Sequence, residues 1–361
     1  MEEMILNETP VRTSRNFNIN NIKVKNVTIK DNVKEFKNIN VCNDSSKIVI
    51  LDDVQKDYTL KYGLSEELTC QVKNSANVIK KIDINSLVKK TVKIETNFDS
   101  ESSELVENLE VHANKSSKSV IILKYNSNDE IEFYHNQVLR VIADEDSDLT
   151  IIMLVNLNSL SNNFISIENT LKQNSKVEYK IIDLGGKNSI INYYSNVEGE
   201  NSKSKLNSIY LGSGKEVFDL NYIANIYGED ASVDIEVQGA LNNNSKKNFK
   251  GTIDFKKGCK RAKGSENENC LLLSDTAKSL SLPMLLCSEE EVEGSHSSSA
   301  GKISKQELFY IMSRGIDEKS AMKLIVKAKF NSILESIKDE KLKEEIINLI
   351  DEKLDKGEYN E

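Results

Sequence analysis

The sequence predicts a mainly β chain with a helical tail. Three observations carry that expectation: β-branched runs broken by polar turns from about Ser119 to Phe255, cap-and-stripe signals after Ser304, and a first third with no sustained period. The predicted strands are Val120–Tyr125, Val138–Ala143, Thr150–Val155, Phe164–Glu168, Val177–Ile182 and Ile190–Tyr194. They continue with Leu206–Leu211, Val217–Tyr222, Val233–Val237 and Phe249–Phe255. Between them lie segments such as DEDSD, KQNS, LGGKN, GENS, GSGK and NNNSKK, whose Asn, Asp and Gly favour left-handed backbone or side-chain-to-backbone bonds. This spacing fits a sandwich, a barrel or a parallel β-helix, and the Asn-rich turns lean towards the last.

Residues 1–115 read as a mixed, partly helical N-terminal region. In LSEELTCQVKNSANVIKKI, Leu64, Leu68, Val72, Val78 and Ile79 fall near helical spacing, with Ser65 as N-cap and Glu67 in the first turn. Residues 116–295 form the predicted β core, and 296–361 the helical C-terminal domain. In that tail Ser304 caps a helix through KQELFYIMSR, with Glu307 at the capping-box position and Gly315 as the terminating left-handed residue. Asp317 caps a second helix whose stripe is Ala321, Leu324, Ile325 and Ala328. A third helix from about Asp339 aligns Leu342, Ile346, Leu349 and Ile350. Such narrow stripes pack on a domain or on a partner helix.

Composition narrows the function classes. A chain of 361 residues with 38% hydrophobic and 29% charged residues can build a core. Mean hydropathy is −0.45, and no apolar run approaches the ~18 residues of a membrane helix. The start, MEEMILNETPVRTSRNF, lacks the basic and apolar regions of a secretory signal, so a cytoplasmic protein is expected. A formal charge of −9 argues against general nucleic-acid binding. The basic stretch Lys256, Lys257, Lys260, Arg261 and Lys263 reads as a solvated turn. Five widely spaced cysteines (Cys42, Cys70, Cys259, Cys270, Cys287) form no CxxC pair, which disfavours a disulfide framework or a self-contained zinc or cluster site. Cys287 follows the apolar LPMLL and reads as part of a packed strand.

No nucleotide or hydrolase motif is present; Gly212-Ser213-Gly214-Lys215 lacks the upstream glycine and the hydroxyl residue of a phosphate loop. His112 and His135 are isolated, and His135 reads as a strand-edge residue. The densest polar feature is SEEEVEGSHSSSAG, residues 288 to 301, which sets Glu289, Glu290, Glu291 and Glu293 before His296. Carboxylates and a neutral imidazole suit a borderline metal such as iron. Gly294 and the serines argue for a loop, and a solvated acidic loop is the bland alternative. Thiolates from Cys259, Cys270 or Cys287 would complete a ligand set, although their spacing matches no signature.

The run GTIDFKKGCKRAKGSENENCLLLSDTAKSLSLPMLLCSEEEVEGSHSSSAGKISKQELFYIMSRGIDEKSAMKLIV resembles the C-terminal half of the SufB/SufD family, scaffold subunits of the SUF iron–sulfur cluster assembly machine. Its most specific pieces are Gly251–Phe255, LLLS…LP, EVEGSHSSSAGKIS and LFYIMSRGI. TPVRTSRNFNINNIKV, residues 9 to 24, resembles the entry segment of SufD-like members. The resemblance implies a right-handed parallel β-helix core flanked by helical regions, and a non-catalytic scaffold. It implies pairing with SufB near the C-terminal end of the β-helix and docking of the ATPase SufC on the helical tail. Leu308, Phe309, Arg314, Leu324 and Ile325 are the docking candidates. A transient cluster shared with the partner is implied, with reduced flavin in the assembled complex as a further candidate.

In SufB a cysteine a few residues before the LP stretch takes part in sulfur transfer. Counting back from Pro283, that position is Ala277, which cannot serve, so the match is to the SufD-like side. There the histidine of the SH segment, here His296, is implied as an interface donor to the nascent cluster, with Glu293 a weaker one. Two alternatives are a self-pairing sole scaffold, with Cys259, Cys270 or Cys287 supplying thiolates, and a β-helix carbohydrate-active protein. Neither nucleic acid nor membrane is an expected partner.

Overall fold

The computed structural model describes residues 3–13, 18–30, 32–54 and 58–356. Its centre is a parallel β-solenoid of about eight turns. Each turn gives one strand to each of two nine-stranded sheets. The first sheet runs Ile39–Asn43, Lys90–Phe98, Lys118–Ser127, Asp148–Asn156, Lys176–Asp183, Lys203–Gly212, Ser232–Leu241, Ala262–Leu272 and Val292–Lys302. The second runs Ile48–Leu51, Val78–Ile84, Glu104–Ala113, Tyr134–Ala143, Asn162–Leu171, Asn188–Val197, Val217–Ile226, Lys246–Phe255 and Lys278–Cys287. Only the opening strand of each sheet pairs antiparallel with its neighbour.

Every strand expected from the sequence lies within an observed one. The parallel ladder also reaches back to Val78 and on to Lys302. Cys287 ends its strand exposed, not packed. His135 lies near the start of Tyr134–Ala143 with its side chain fully buried, so it is an interior residue and not a strand-edge one.

The turns explain the excess of Asn and Asp. Ser116, Asp146, Asn174, Asn201, Asp230 and Arg261 all adopt positive φ, between 54° and 59°. Each donates its backbone N–H to a carbonyl of the next coil, as from Asp146 to Gln173 and from Asn201 to Glu229. A left-handed residue thus recurs at the same corner of successive coils. Short polar side chains tolerate that conformation best.

Inside, alternate residues of both sheets fill the lumen. Tyr179, Tyr193, Tyr222 and Phe249 stack edge-to-face along the axis. In the middle coils the outer face of the first sheet is buried too, which is why runs such as Ile151–Val155 are apolar throughout. On the second sheet lie the N-terminal hairpin Glu3–Leu6 and Ile22–Lys25, and helix α1 (Glu66–Ser75), capped by Ser65 as its sequence predicts. Of the predicted entry segment, Ser14, Arg15, Asn16 and Phe17 lie outside the described residues.

On the first sheet lie α3 (Glu318–Leu334) and α4 (Glu340–Lys356), preceded by α2 (Lys305–Met312). The caps at Ser304 and Asp317 and the positive φ of Gly315 follow the sequence reading. The stripe on α3 does so only at Ala321. Ala321, Val326, Phe330, Ile333 and Leu334 are buried, whereas Leu324 and Ala328 face solvent and Ile325 is half-buried. The contact surface is a sheet, broader and differently inclined than a partner helix, and it selects another face of α3.

Candidate functional site at the open end of the solenoid

Among the described residues the solenoid stops without a cap. There Val292–Lys302 pairs only with Ala262–Leu272, and Lys278–Cys287 only with Lys246–Phe255, so each leaves a row of unpaired backbone groups. SEEEVEGSHSSSAG is therefore not a loop along its length. From Val292 onward it is the last strand, and almost all of it is exposed. The serines and glycines that suggested a loop are small polar residues on an edge strand, where no side chain needs burial.

Strand geometry decides which of these side chains meet. On Ala262–Leu272 the even positions point inward: Ala262, Gly264, Glu266, Glu268 and Cys270 are all buried. The parallel register places Val292, Gly294, His296, Ser298 and Ala300 directly over them. Ser298 Oγ donates to Glu268 Oε2 at 2.7 Å, so the last strand keeps this parity. His296 accordingly stands over Glu266 at the mouth of the lumen. Glu293, an odd number of residues away, lies on the opposite face, where Lys263 Nζ reaches both its oxygens at 3.0 Å. Glu293 and His296 are not brought together. Glu289 is also engaged, accepting from the Gly258 N–H at 2.8 Å.

Beneath His296 the lumen is polar. Glu268 Oε1 accepts from Lys247 Nζ at 2.7 Å and from the Tyr210 hydroxyl at 3.0 Å, while Oε2 accepts from Ser281 and Ser298. Glu266, two residues earlier on the same face, has a buried carboxyl with no hydrogen-bond partner among the described residues. Burial, reinforced by the charge of Glu268, pushes its pKa up to about 8. Cys270 is buried in the same layer and Cys259 at the corner below. Burial raises both thiols, which keeps them protonated. Cys287 is exposed and donates to the Glu289 carbonyl at 2.9 Å. Ala277 is buried just ahead of the strand Lys278–Cys287.

Sequence reading missed Glu266, Glu268 and Lys247. SENEN looks polar on both faces, and only the coil-to-coil register, 30 residues between Ser298 and Glu268, shows which glutamates share a layer with His296.

The tail offers a second surface. No residue of α2 is buried, and Phe309 is 74% exposed. Tyr310 is exposed beside it, with the Arg314 guanidinium 4.5 Å from its ring centroid. Leu308 and Ile325 are half-buried, and Leu324 is exposed. The α2 and α3 candidates therefore leave apolar area open to solvent. Among the described residues no helix is long and apolar enough to cross a membrane. No cluster of three or more His, Cys, Asp or Glu there could hold a metal ion.

Architecture and site together define a parallel β-solenoid with a helical tail and an uncapped, polar-lined end. A family model described as SUF system FeS cluster assembly, SufBD core domain, matches residues 96–329. The chain belongs to that family, as a SufD-like member. It is 21% identical over 220 residues to the iron–sulfur cluster assembly protein SufD of Bacillus subtilis, covering 61% of this chain and 50% of that protein. It is 26% identical over 201 residues to SufD of Escherichia coli, covering 55% and 47%. A SufBD family protein of Pyrococcus horikoshii is 34% identical over 139 residues, 38% of this chain and 31% of that one. The chain thus spans about half the length, or less, of these curated relatives.

Proposed function

We propose that the chain is a non-catalytic scaffold subunit of a SUF cluster-assembly complex. Its uncapped end pairs with a SufB-like subunit, and its helical tail carries a SufC-type ATPase. The observation that supports this most is the position of His296: exposed, on the last strand, facing the lumen side of the edge where a partner strand would add. There a neutral imidazole can donate to iron of a nascent cluster without adding negative charge to a thiolate-rich assembly. The cluster is cargo, and Ala277 marks this subunit as the one that does not supply the sulfur-handling cysteine. Leu308, Phe309, Arg314, Leu324 and Ile325 remain the ATPase-docking candidates, because they lie on the part of the tail that the solenoid leaves uncovered. Glu293, paired with Lys263 on the outer face, is no longer favoured as a donor. Reduced flavin would enter with the assembled complex, and no residue of this chain is assigned to it.

The test is co-purification with the candidate ATPase and second scaffold, then anaerobic reconstitution with iron and sulfide. His296→Ala is expected to leave complex formation intact and to lower cluster absorbance. An unchanged cluster yield would remove His296 from the site. A self-pairing scaffold would use the same edge, and the mass of the isolated chain in solution distinguishes the two arrangements. The partner reading is preferred because Cys259 and Cys270 are buried, which leaves a self-paired interface only Cys287 as an exposed thiol at this end.

A further inference from the structure

We propose that Glu266 and His296 form a two-donor docking site for ferrous iron at the mouth of the lumen, with Glu266 the donor that holds the ion on this chain. The proposal rests on the reading of His296 as an iron donor and adds the residue beneath it. Glu266 is 2% exposed, and neither Oε1 nor Oε2 has a hydrogen-bond partner among the described residues. A buried carboxyl left without partners costs free energy that native structures normally avoid, so the missing partner is best sought outside the chain. Lack of local donors does not explain it. Glu268, on the same strand and face, is satisfied at both oxygens by Lys247, Tyr210, Ser281 and Ser298.

The position of the carboxyl is set by a glycine. A Cβ on Gly251, in the opposite sheet, would lie 2.2 Å from Glu266 Cδ, so the carboxyl fills the space that the glycine leaves. The next rung above Gly251 is Pro283, and above Glu266 it is His296. Among the described residues no further strand follows. The carboxyl therefore sits one rung, about 4.8 Å, below the open edge.

The register sets a carboxyl and, one rung above it on the same face, an imidazole; a bound cation displaces the carboxyl's proton and leaves an anionic oxygen donor below an imidazole nitrogen. A divalent cation of borderline character satisfies both at once. Two protein donors leave most coordination positions free for water, sulfide or a partner's side chain. Such a site suits an ion that is to be handed on, unlike the closed ligand set of a permanent metal.

The experiment is an anaerobic titration of the full chain with Fe(II) alone, read by calorimetry and by competition with a chromophoric chelator. Wild type, Glu266→Gln, His296→Ala and Gly251→Ala are compared after thermal melts show that each is folded. Glu266→Gln and His296→Ala are each expected to weaken Fe(II) by about tenfold or more. Gly251→Ala, which displaces the carboxyl without removing it, should weaken it as well. Wild-type affinity in Glu266→Gln would overturn the proposal, and so would absence of binding to the wild-type chain. If in either case His296→Ala still lowers cluster yield on the complex, the functional reading survives and Glu266 answers to a partner's cationic side chain. If both variants lose Fe(II) while cluster yield on the complex is unchanged, the iron site stands and His296 as cluster donor falls.

Discussion

Lys247 and Glu268 form an ion pair inside the solenoid, Nζ to Oε1 at 2.7 Å, with both side chains fully buried. Two charges removed from water persist only when their remaining donors and acceptors are satisfied. Here Ser281 accepts from Lys247, and Tyr210, Ser281 and Ser298 donate to Glu268. Because Ser298 belongs to the last strand, the pair also anchors the edge that carries His296.

Breaking that pair from one side should be costly. Lys247→Met leaves an uncompensated carboxylate and is expected to destabilise by about 3–5 kcal/mol. Replacing both residues, as Lys247→Met with Glu268→Gln, should recover most of the loss. Thermal melts of the single and double variants decide it, and equal melting of the two would show that the charge is not the cause.

Asn7 is the clasp of the N-terminal segment. Its side chain donates to Asp219 Oδ1 at 2.7 Å and accepts from Asn192 at 2.9 Å, while its carbonyl accepts from Lys250, itself paired with Asp219. Its φ of 57° suits asparagine better than most residues. Asn7→Ala should cost about 1–3 kcal/mol and speed amide exchange across residues 3–13, leaving exchange in α4 unchanged.

Two interior acids and one histidine give stability opposite pH slopes. Burial raises Glu107 to about 7 despite hydrogen bonds from Tyr125 and Gln137, and raises Asp183 to about 7. A raised acid contributes fully below its unfolded pKa, and that contribution is lost as pH climbs through about 7. For Glu107 the loss is on the order of 3 kcal/mol. Glu107→Gln should flatten the decline in melting temperature between about pH 4.5 and 7. His135, lowered to about 4 by burial, acts in the other sense: its contribution is present above about 6.5 and lost as pH falls towards 4. His135→Asn should blunt that acid limb.

The last turns of α4 are tied to the solenoid by a lysine. Lys353 on α4 donates to both carboxylate oxygens of Glu216, at 2.9 and 2.7 Å, and Glu216 is buried against the solenoid. Lys353→Met should raise amide exchange in the last turns of α4 while Phe330 and Ile346 hold the rest. Unchanged exchange there would mean that the apolar packing of Ile350 and Leu354 seats that end of the helix.

The sequence by itself determined the middle of the solenoid and the ends of the helices. β-branched runs such as Ile151–Val155, polar turn residues, and the caps Ser65, Ser304 and Asp317 act within a few residues of where they stand, so pattern alone exposes them. The first and last coils were illegible for the opposite reason. Glu104–Ala113 sets Glu104, Glu107 and Glu110 among its apolar residues, and Val292–Lys302 is nearly all small and polar. Val292–Lys302 lacks the apolar alternation that identifies a strand, and in Glu104–Ala113 Glu107 interrupts it between Leu105 and Leu109. The candidate site followed the same divide. His296 was visible through its neighbours, but its place over Glu266, away from Glu293, depends on a register between residues on successive coils. Parallel coils juxtapose side chains about thirty residues apart in sequence, and only tertiary structure fixes which of two alternating faces each one joins.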